Sequence, residues 1–387
     1  MVIDKFLGLN NTVSSERMSP GDLEEAINVY LDDTGRLARR SGVTQVSAVA
    51  THSLWSSGNI CLFVQGTDLK RMYIDGSITT LRSDMSGNRV SYQMLLGTVY
   101  YSDGVVTGEY SDGFNRTKWG VSSPGLVGAS ITSGALPAGR YGYVGVAVRD
   151  DGIRSGAIDF GTIELSSDGG ITFTAPNIDE AAVAFYMTST DGDVFYASGS
   201  CIPGSSVNIT NVNVLGEPLE SINLMEPPAG QIVSFFRGRM LVAAGEWLYY
   251  SMPYGIHLFD PLGYHGMGDR ITIVAPMKNG VFVATTKKTY FLLGTSPEEF
   301  TLQEIADYGA IEGTLSTIAS TDLPWLRNVA SQTLAVWASS AGICLAGDEG
   351  LFINMTENRY RFDVVLAKGA TTIITMDRTK QLITAIE

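Results

Sequence analysis

The side chains able to do acid–base, nucleophilic or metal chemistry are scattered along this sequence rather than grouped. Its histidines are His52, His257 and His265, and their separations match no metal-ligand spacing. His257 and His265 flank Asp260 in a Tyr- and Gly-rich stretch, Tyr254-Gly255-Ile256-His257 and Tyr264-His265-Gly266, which reads as a loop whose imidazoles are satisfied locally. Cys61, Cys201 and Cys344 are odd in number and far apart, so neither a disulfide framework nor a zinc pattern follows. They read as small buried apolar residues in a reducing compartment. Glycoside hydrolysis needs two carboxylates at a set separation, and 40 acidic residues offer pairs without singling one out. No G-x-S-x-G, P-loop or strand-following G-x-G-x-x-G is present. No catalytic residue, metal or cofactor is therefore expected, and the chain reads as a non-enzyme.

The elements that would position any site must be read from texture. With 44% hydrophobic and 17% charged residues over 387 positions, the chain can bury one large core or two smaller ones. Its 43 glycines against 13 prolines imply many turns, and a 10% aromatic share suits pleated strands. The net charge of −14 makes the chain a poor candidate for gripping nucleic acid through its phosphates, which takes a basic footprint. The opening Met1-Val2-Ile3-Asp4-Lys5 has no apolar core of a signal peptide. No run of about 18 apolar residues predicts a membrane span.

Residues 1–47 predict an arm. Ser19-Pro20-Gly21-Asp22 opens a helix of about two turns, with Asp22 as cap and Glu25 in capping-box position. Ile27 to Leu31 then reads as a strand, Asp32-Asp33-Thr34-Gly35 as a turn, and Arg36 to Arg39 as a return strand. From residue 48 the pattern becomes short strands broken by Gly, Asp and Asn, as in Ile60 to Gln65, Leu69 to Ile74 and Ser77 to Leu81. Asp75-Gly76 and Asp112-Gly113 are hairpin signals between such strands. Residues 125–228 differ. About seven strands with turns every 8–12 residues predict an immunoglobulin-like or fibronectin type III-like sandwich. Within it Tyr141, Tyr143 and Gly145 share one strand face, and Val144, Val146 and Val148 the other. Residues 229–387 return to the first texture. The expected fold is all-β: a β-propeller of about six blades, in parts 48–124 and 229–387, with the sandwich inserted.

Three stretches carry a resemblance. The first is Gly8-Leu9-Asn10-Asn11, Gly21-Asp22-Leu23-Glu24-Glu25-Ala26-Ile27-Asn28-Val29 and Gly35-Arg36-Leu37-Ala38-Arg39-Arg40-Ser41-Gly42-Val43. The second is Ala138-Gly139-Arg140-Tyr141 with Tyr143. The third is Pro227-Pro228, Arg237 to Ala243 and Tyr249-Tyr250-Ser251. Together they resemble the tail nozzle and packaged-DNA-stabilisation β-propeller proteins of short-tailed double-stranded-DNA bacteriophages. The resemblance implies a virion structural protein, made in the bacterial host cytoplasm. It implies a homo-oligomeric ring, usually of six subunits, that continues and closes the DNA ejection channel. Its implied partners are portal, adaptor and tail fibre or tail tip proteins, with viral DNA passing the lumen without specific binding. An acidic lumen would repel phosphate and let DNA slide. Arg36, Arg39 and Arg40 are the candidate interface residues, set to dock on an acidic neighbour; the bland reading pairs them with Asp32 and Asp33. Asn10, Asn11 and Asn28 read as turn or cap residues.

Two rival functions remain. A receptor- or glycan-binding tail protein would expose aromatic platforms such as Tyr110, Phe114 and Trp119. A propeller glycoside hydrolase would draw on Ser166-Ser167-Asp168-Gly169-Gly170-Ile171-Thr172-Phe173, which fits the Asp box of sialidase-like propellers. That box is a turn device in which Ser and Asp bond the backbone and Gly supplies the bend, so here it predicts a hairpin in the sandwich rather than catalysis.

Overall fold

The computed structural model describes residues 5–32, 34–40, 42, 44, 48–211, 216–323, 332–362, 368–376 and 379–386. Their regular elements are β-strands and single 3-10 turns; no α-helix occurs among them. The chain divides into two compact units. One holds Met1–Thr79, Gly245–Trp247 and Gly266–Glu387, the other Thr80–Ala244 and Leu248–His265.

The repeated element is an antiparallel meander of four strands taken in chain order. Five stretches adopt it, at 51–82, 91–116, 232–266, 271–306 and 316–354. Such meanders are the blade element of β-propellers, so the all-β, propeller-like expectation holds. Two-residue turns let the strands reverse so tightly. Leu96-Gly97 and Arg237-Gly238 place both residues at positive φ (49° and 85°, 47° and 84°), the type I′ geometry whose twist matches paired strands.

In the first unit, sheets 271–306 and 316–354 pack on a shared core. Phe282 lies 4.6 Å from Phe291 and 6.1 Å from Trp337 between ring centroids, while Ala275, Ala284, Ala335 and Ala346 let the sheets approach. Cys344 sits in this core, where burial pushes its thiol up to about 11. Cys61 and Cys201 are only half-buried, so the expectation of buried thiols holds for Cys344 alone. In the second unit, Trp119, Val233, Met240, Val242 and Phe259 join sheets 91–116 and 232–266. Their edge strands also touch, the Val233 N–H donating to Ser91 Oγ at 3.0 Å.

Residues 128–209 of the second unit form two packed sheets. One orders Gly128–Leu136, Gly169–Thr174 and Ser206–Ile209; the other orders Gly161–Leu165, Gly139–Val148, Ala182–Thr188 and Phe195–Cys201. Tyr141 and Tyr143 face the core between them, where Phe173 stacks on Phe185 at 5.2 Å. Val144 and Val146 fill the opposite face against Ala157, Tyr186 and Leu219, so this strand is buried on both sides.

Two further local expectations fail. The segment from Ser19 is a turn, not a helix: Asp22 N–H donates back to Ser19 C=O at 2.9 Å, and Asp22–Leu23 pairs in parallel with Gly8–Leu9. The Asp22 carboxylate, cast as a helix cap, instead accepts from Asn10 Nδ2 at 2.9 Å and from the Ser19 N–H at 3.3 Å. The long-range strand pairing outweighs a short helix with little propensity of its own. The Asp box is likewise not a hairpin. It carries the chain from one sandwich sheet to the other, and Asp168 Oδ1 accepts the N–H of Ala138, 30 residues away.

Candidate functional site

The signature segment folds as an arm fastened to the loop at 358–361, within the first unit. The fastening copies strand pairing with side-chain amides. Asn11 N–H donates to the Arg359 carbonyl at 2.9 Å. The Asn11 side chain donates to the Arg361 carbonyl at 2.6 Å and accepts the Arg361 N–H at 2.9 Å. Thr12 Oγ1 reaches the Asn358 carbonyl at 3.0 Å. Asn10, buried, closes an Asx turn by accepting Thr12 N–H and Oγ1 at 3.1 and 2.9 Å. Arg359 crosses over to the Leu7 carbonyl and to Asp22 Oδ1, the latter at 3.2 Å. Asn28, with φ 53°, is the turn residue expected of it.

The three candidate arginines lie on the next element, the hairpin Val29–Leu31 with Leu37–Arg39. Arg36, Arg39 and Arg40 are all exposed. Strand alternation sets Arg39 on the face opposite Arg40, so they are not one patch. Asp32 does not pair with a guanidinium. Its carboxylate accepts Thr34 Oγ1, Thr34 N–H and Arg36 N–H at 2.6, 2.9 and 2.9 Å, and the Thr34 hydroxyl first of all holds it below the ordinary carboxylate range. Asp33, Ser41 and Val43 lie outside the described residues.

A second constellation, which sequence reading missed, lies in the second unit between sheet 91–116 and the sandwich. Glu109 and Arg149 are both buried, and Arg149 Nη2 meets Glu109 Oε1 at 2.7 Å. Arg116 stands 3.7 Å from the same oxygen and reaches Asp150 at 3.0 Å. Arg149 also grips Asp151 with two parallel bonds of 3.0 and 2.8 Å. Burial pushes Glu109 up against the pull of Arg149 and Arg116. His257, beside this cluster, is pushed below its ordinary value by burial and then by Arg149. Asp151 is pulled from the ordinary 3.8 to about 2, first by the Arg149 hydrogen bonds. Because its folded value is depressed, its contribution to stability is complete above pH about 4 and is lost as pH falls towards 2. Urea melts of wild type and Asp151→Asn should therefore differ at neutral pH and converge as pH drops through that window.

This constellation is a fastening too. Asp150, Asp151 and Arg149 read as an ordinary turn in the sequence, and only the fold brings Glu109 beneath them. Arg82 does similar work, donating to the Thr107 and Thr117 carbonyls at 3.0 and 3.1 Å while paired with Asp84 at 2.7 Å. The tempting groups do not form sites. His52 Nδ1 bonds Ser53 Oγ at 2.8 Å, and His265 lies against Tyr250. No cluster of three His, Cys, Asp or Glu suited to a metal occurs among the described residues. Tyr110 and Trp119 are buried and Phe114 is half-buried beneath Arg116. These rings therefore form no exposed aromatic platform; they sit on sheet 91–116 and its exit, two of them buried.

No protein-family profile matches the sequence, and no curated protein matches it. Among solved structures, the chain is similar to the N-terminal domain of Nup159, at a TM-score of 0.32 and 9% identity over 86% of this chain and 72% of that one. It is similar to the AfRom2 CNH domain at 0.29 and 7%, over 88% and 96%. It is also similar to a catalytically inactive virginiamycin B lyase from Staphylococcus aureus with quinupristin, at 0.21 and 14%, over 70% and 92%. Likeness at this level carries no function across.

Proposed function

We propose that the chain is a non-enzymatic structural subunit of a bacteriophage tail, part of the nozzle or hub ring that continues and closes the DNA ejection channel. The observation that carries this reading is the use made of the segment bearing the resemblance. Gly8, Asn10, Asn11 and Asp22 fasten backbone to backbone and present a preformed hairpin, which is the chemistry of assembly.

The finer architecture belongs to the same proposal. The five meanders and the hairpin 369–386 serve as six blades, divided as 48–124 and 229–387 after an arm at 1–47. The sandwich at 125–228 is Ig-like. If its first strand, Gly128–Leu136, is lettered B, the four-stranded sheet reads C′-C-F-G, the other pairs B with E, and the last strand is added beside E. The leading strand of every blade, THSLWSS, SYQML, IVSFF, ITIVAPM, STIA and GATTIITM, has no charged residue. That suits strands turned to a propeller axis, and it leaves the −14 on turns, outer strands and the sandwich. Acidic surfaces lining the ring would let viral DNA pass unbound. The partners are further copies of the chain (six in the ring), the portal–adaptor complex and tail fibre or tip proteins, in the virion after synthesis in the host cytoplasm.

Native mass spectrometry of the chain, alone and with the portal–adaptor complex, tests the reading. A closed ring, alone or on the adaptor, is the expected result. A strict monomer that never joins the complex rejects it.

A further inference from the structure

Beside the short parallel pair Gly8–Leu9 with Asp22–Leu23, two antiparallel two-stranded sheets stand apart from the four-stranded pattern among the described residues. Outside the sandwich, five sheets have four strands each, but the last, Gly369–Met376 with Thr379–Ile386, has two. The arm hairpin, Val29–Leu31 with Leu37–Arg39, is another two-stranded sheet. Both belong to the first unit.

The last sheet is built to be extended. Its eight pairs run without a bulge from Gly369↔Ile386 to Met376↔Thr379. Its leading end is anchored, the Gly369 N–H donating to the Glu312 carbonyl at 2.8 Å. Its second strand, Thr379–Ile386, has no further strand beyond it among the described residues. Natural sheets blunt such edges with short strands, proline, bulges or charge. Four of the five four-stranded sheets outside the sandwich follow that rule. Sheets 91–116 and 316–354 end on three-residue strands, sheet 232–266 on a strand containing Pro261, and sheet 271–306 on one with a register shift and Glu304. Thr379–Ile386 is long, regular and free of proline, and its one cation, Lys380, is matched by Asp322.

The arm hairpin has the complementary defect. Val29, Tyr30 and Leu31 are only half-buried and Leu37 is exposed. A lone two-stranded hairpin is marginal in water; two strands added to two make the four-stranded sheet this chain builds elsewhere.

We propose that the arm hairpin of one copy adds to the Thr379–Ile386 edge of a second copy and completes its last blade. A second copy is the occupant because the two halves stay unjoined within one chain, although the arm is fastened at 358–361, close in sequence to the half-sheet. Charge points the same way. The hairpin carries Arg36, Arg39 and Arg40 in exposed positions, on a chain of net charge −14, so the acidic body of another copy complements it. Donor and acceptor are different surfaces, so the contact is head-to-tail, the type that generates a ring when its rotation closes. The inference rests on the ring reading above and names its contact.

The test uses the full chain with Cys61→Ser and Cys201→Ser, leaving buried Cys344. Tyr30→Cys is placed in one preparation and Ile383→Cys in another. Circular dichroism confirms that each folds, and a short bismaleimide is added separately and after mixing. The expected result is a crosslinked dimer in the mixture alone, together with at least a tenfold weaker self-association in an Arg36→Glu, Arg39→Glu, Arg40→Glu variant. Rings by native mass with no 30–383 crosslink overturn the edge contact and leave the ring reading standing. In a further preparation carrying Tyr30→Cys and Ile383→Cys in the same chain, crosslinking only within single chains overturns the second copy as occupant. A monomer at every concentration overturns both.

Discussion

Glu109→Gln should lower the stability of the fold by about 3–5 kcal/mol, the usual consequence of removing one partner from a buried ion pair. The Glu109 side chain is 4% exposed and that of Arg149 9%, with 2.7 Å between their charged atoms. Neither partner has water to fall back on. The amide keeps the shape of the carboxylate but removes the charge that balances Arg149 and Arg116, leaving Arg149 with Asp151 alone and Arg116 with Asp150 and Asp151. Arg149→Met should cost a similar amount, because Glu109 then retains only Arg116 at 3.7 Å. The double variant Glu109→Leu with Arg149→Met should cost clearly less than the sum, since an apolar pair of similar volume carries no desolvation penalty. Urea unfolding of the four proteins measures this. A Glu109→Gln unfolding free energy within about 0.5 kcal/mol of wild type would show that the cluster is solvated. The consequence for function is positional. Glu109 and Arg116 stand on strands of a blade sheet, Arg149 and Asp151 at the end of a sandwich strand, so the pair fixes how the sandwich is carried.

The sequence made the blades legible because their signals are local. Gly-led turns between short apolar strands are written within a few residues, as at Leu96-Gly97 and Arg237-Gly238. The sandwich strands were legible for the same reason: Tyr141 and Tyr143 alternate with Val144 and Val146, and each set found its own core. What failed was the assignment of polar residues. Asp22 could cap a helix or accept from Asn10, and only the return of the chain past Gly8–Leu9 decides between them. Asp168 could close a hairpin or tie two sheets, and the partner that decides it, Ala138, is 30 residues away. Tyr110 and Trp119 could serve as an exposed aromatic platform or as core, and the pairing of Tyr110 with Val99 in a sheet, with both rings buried, decides for core. Glu109 was invisible because a single carboxylate in a strand of five residues is usually surface; its two arginine partners come from other elements. Long-range polar pairing has no periodicity, and that is the part of the candidate site that the sequence withheld.

The second large effect concerns the arm, and it should be local. Asp22→Ala is expected to release the segment at 8–12 while leaving the blades and sandwich folded. The Asp22 side chain is 4% exposed and accepts three donors, from Asn10, Ser19 and Arg359. Removing it strands the Asn10 amide, itself only 8% exposed, and each buried donor left unpaired costs about 1–3 kcal/mol. Arg359 can turn to water, being 41% exposed, so the penalty falls on the arm side of the contact. Hydrogen exchange at Asn10 to Thr12 and at Arg359 and Arg361 should quicken at least tenfold, with exchange in the sandwich strands unchanged. Limited proteolysis should cut before Asp22 in the variant and not in wild type. Unchanged exchange at Asn11 would mean that its reciprocal bonds with Arg361 hold the arm without Asp22. Whole-molecule unfolding would mean that the arm is part of the core and not a fastening. A local release separates these outcomes, and it makes the variant informative for assembly: if the arm hairpin must be held at a fixed place to meet another copy, Asp22→Ala should weaken ring formation without weakening the subunit.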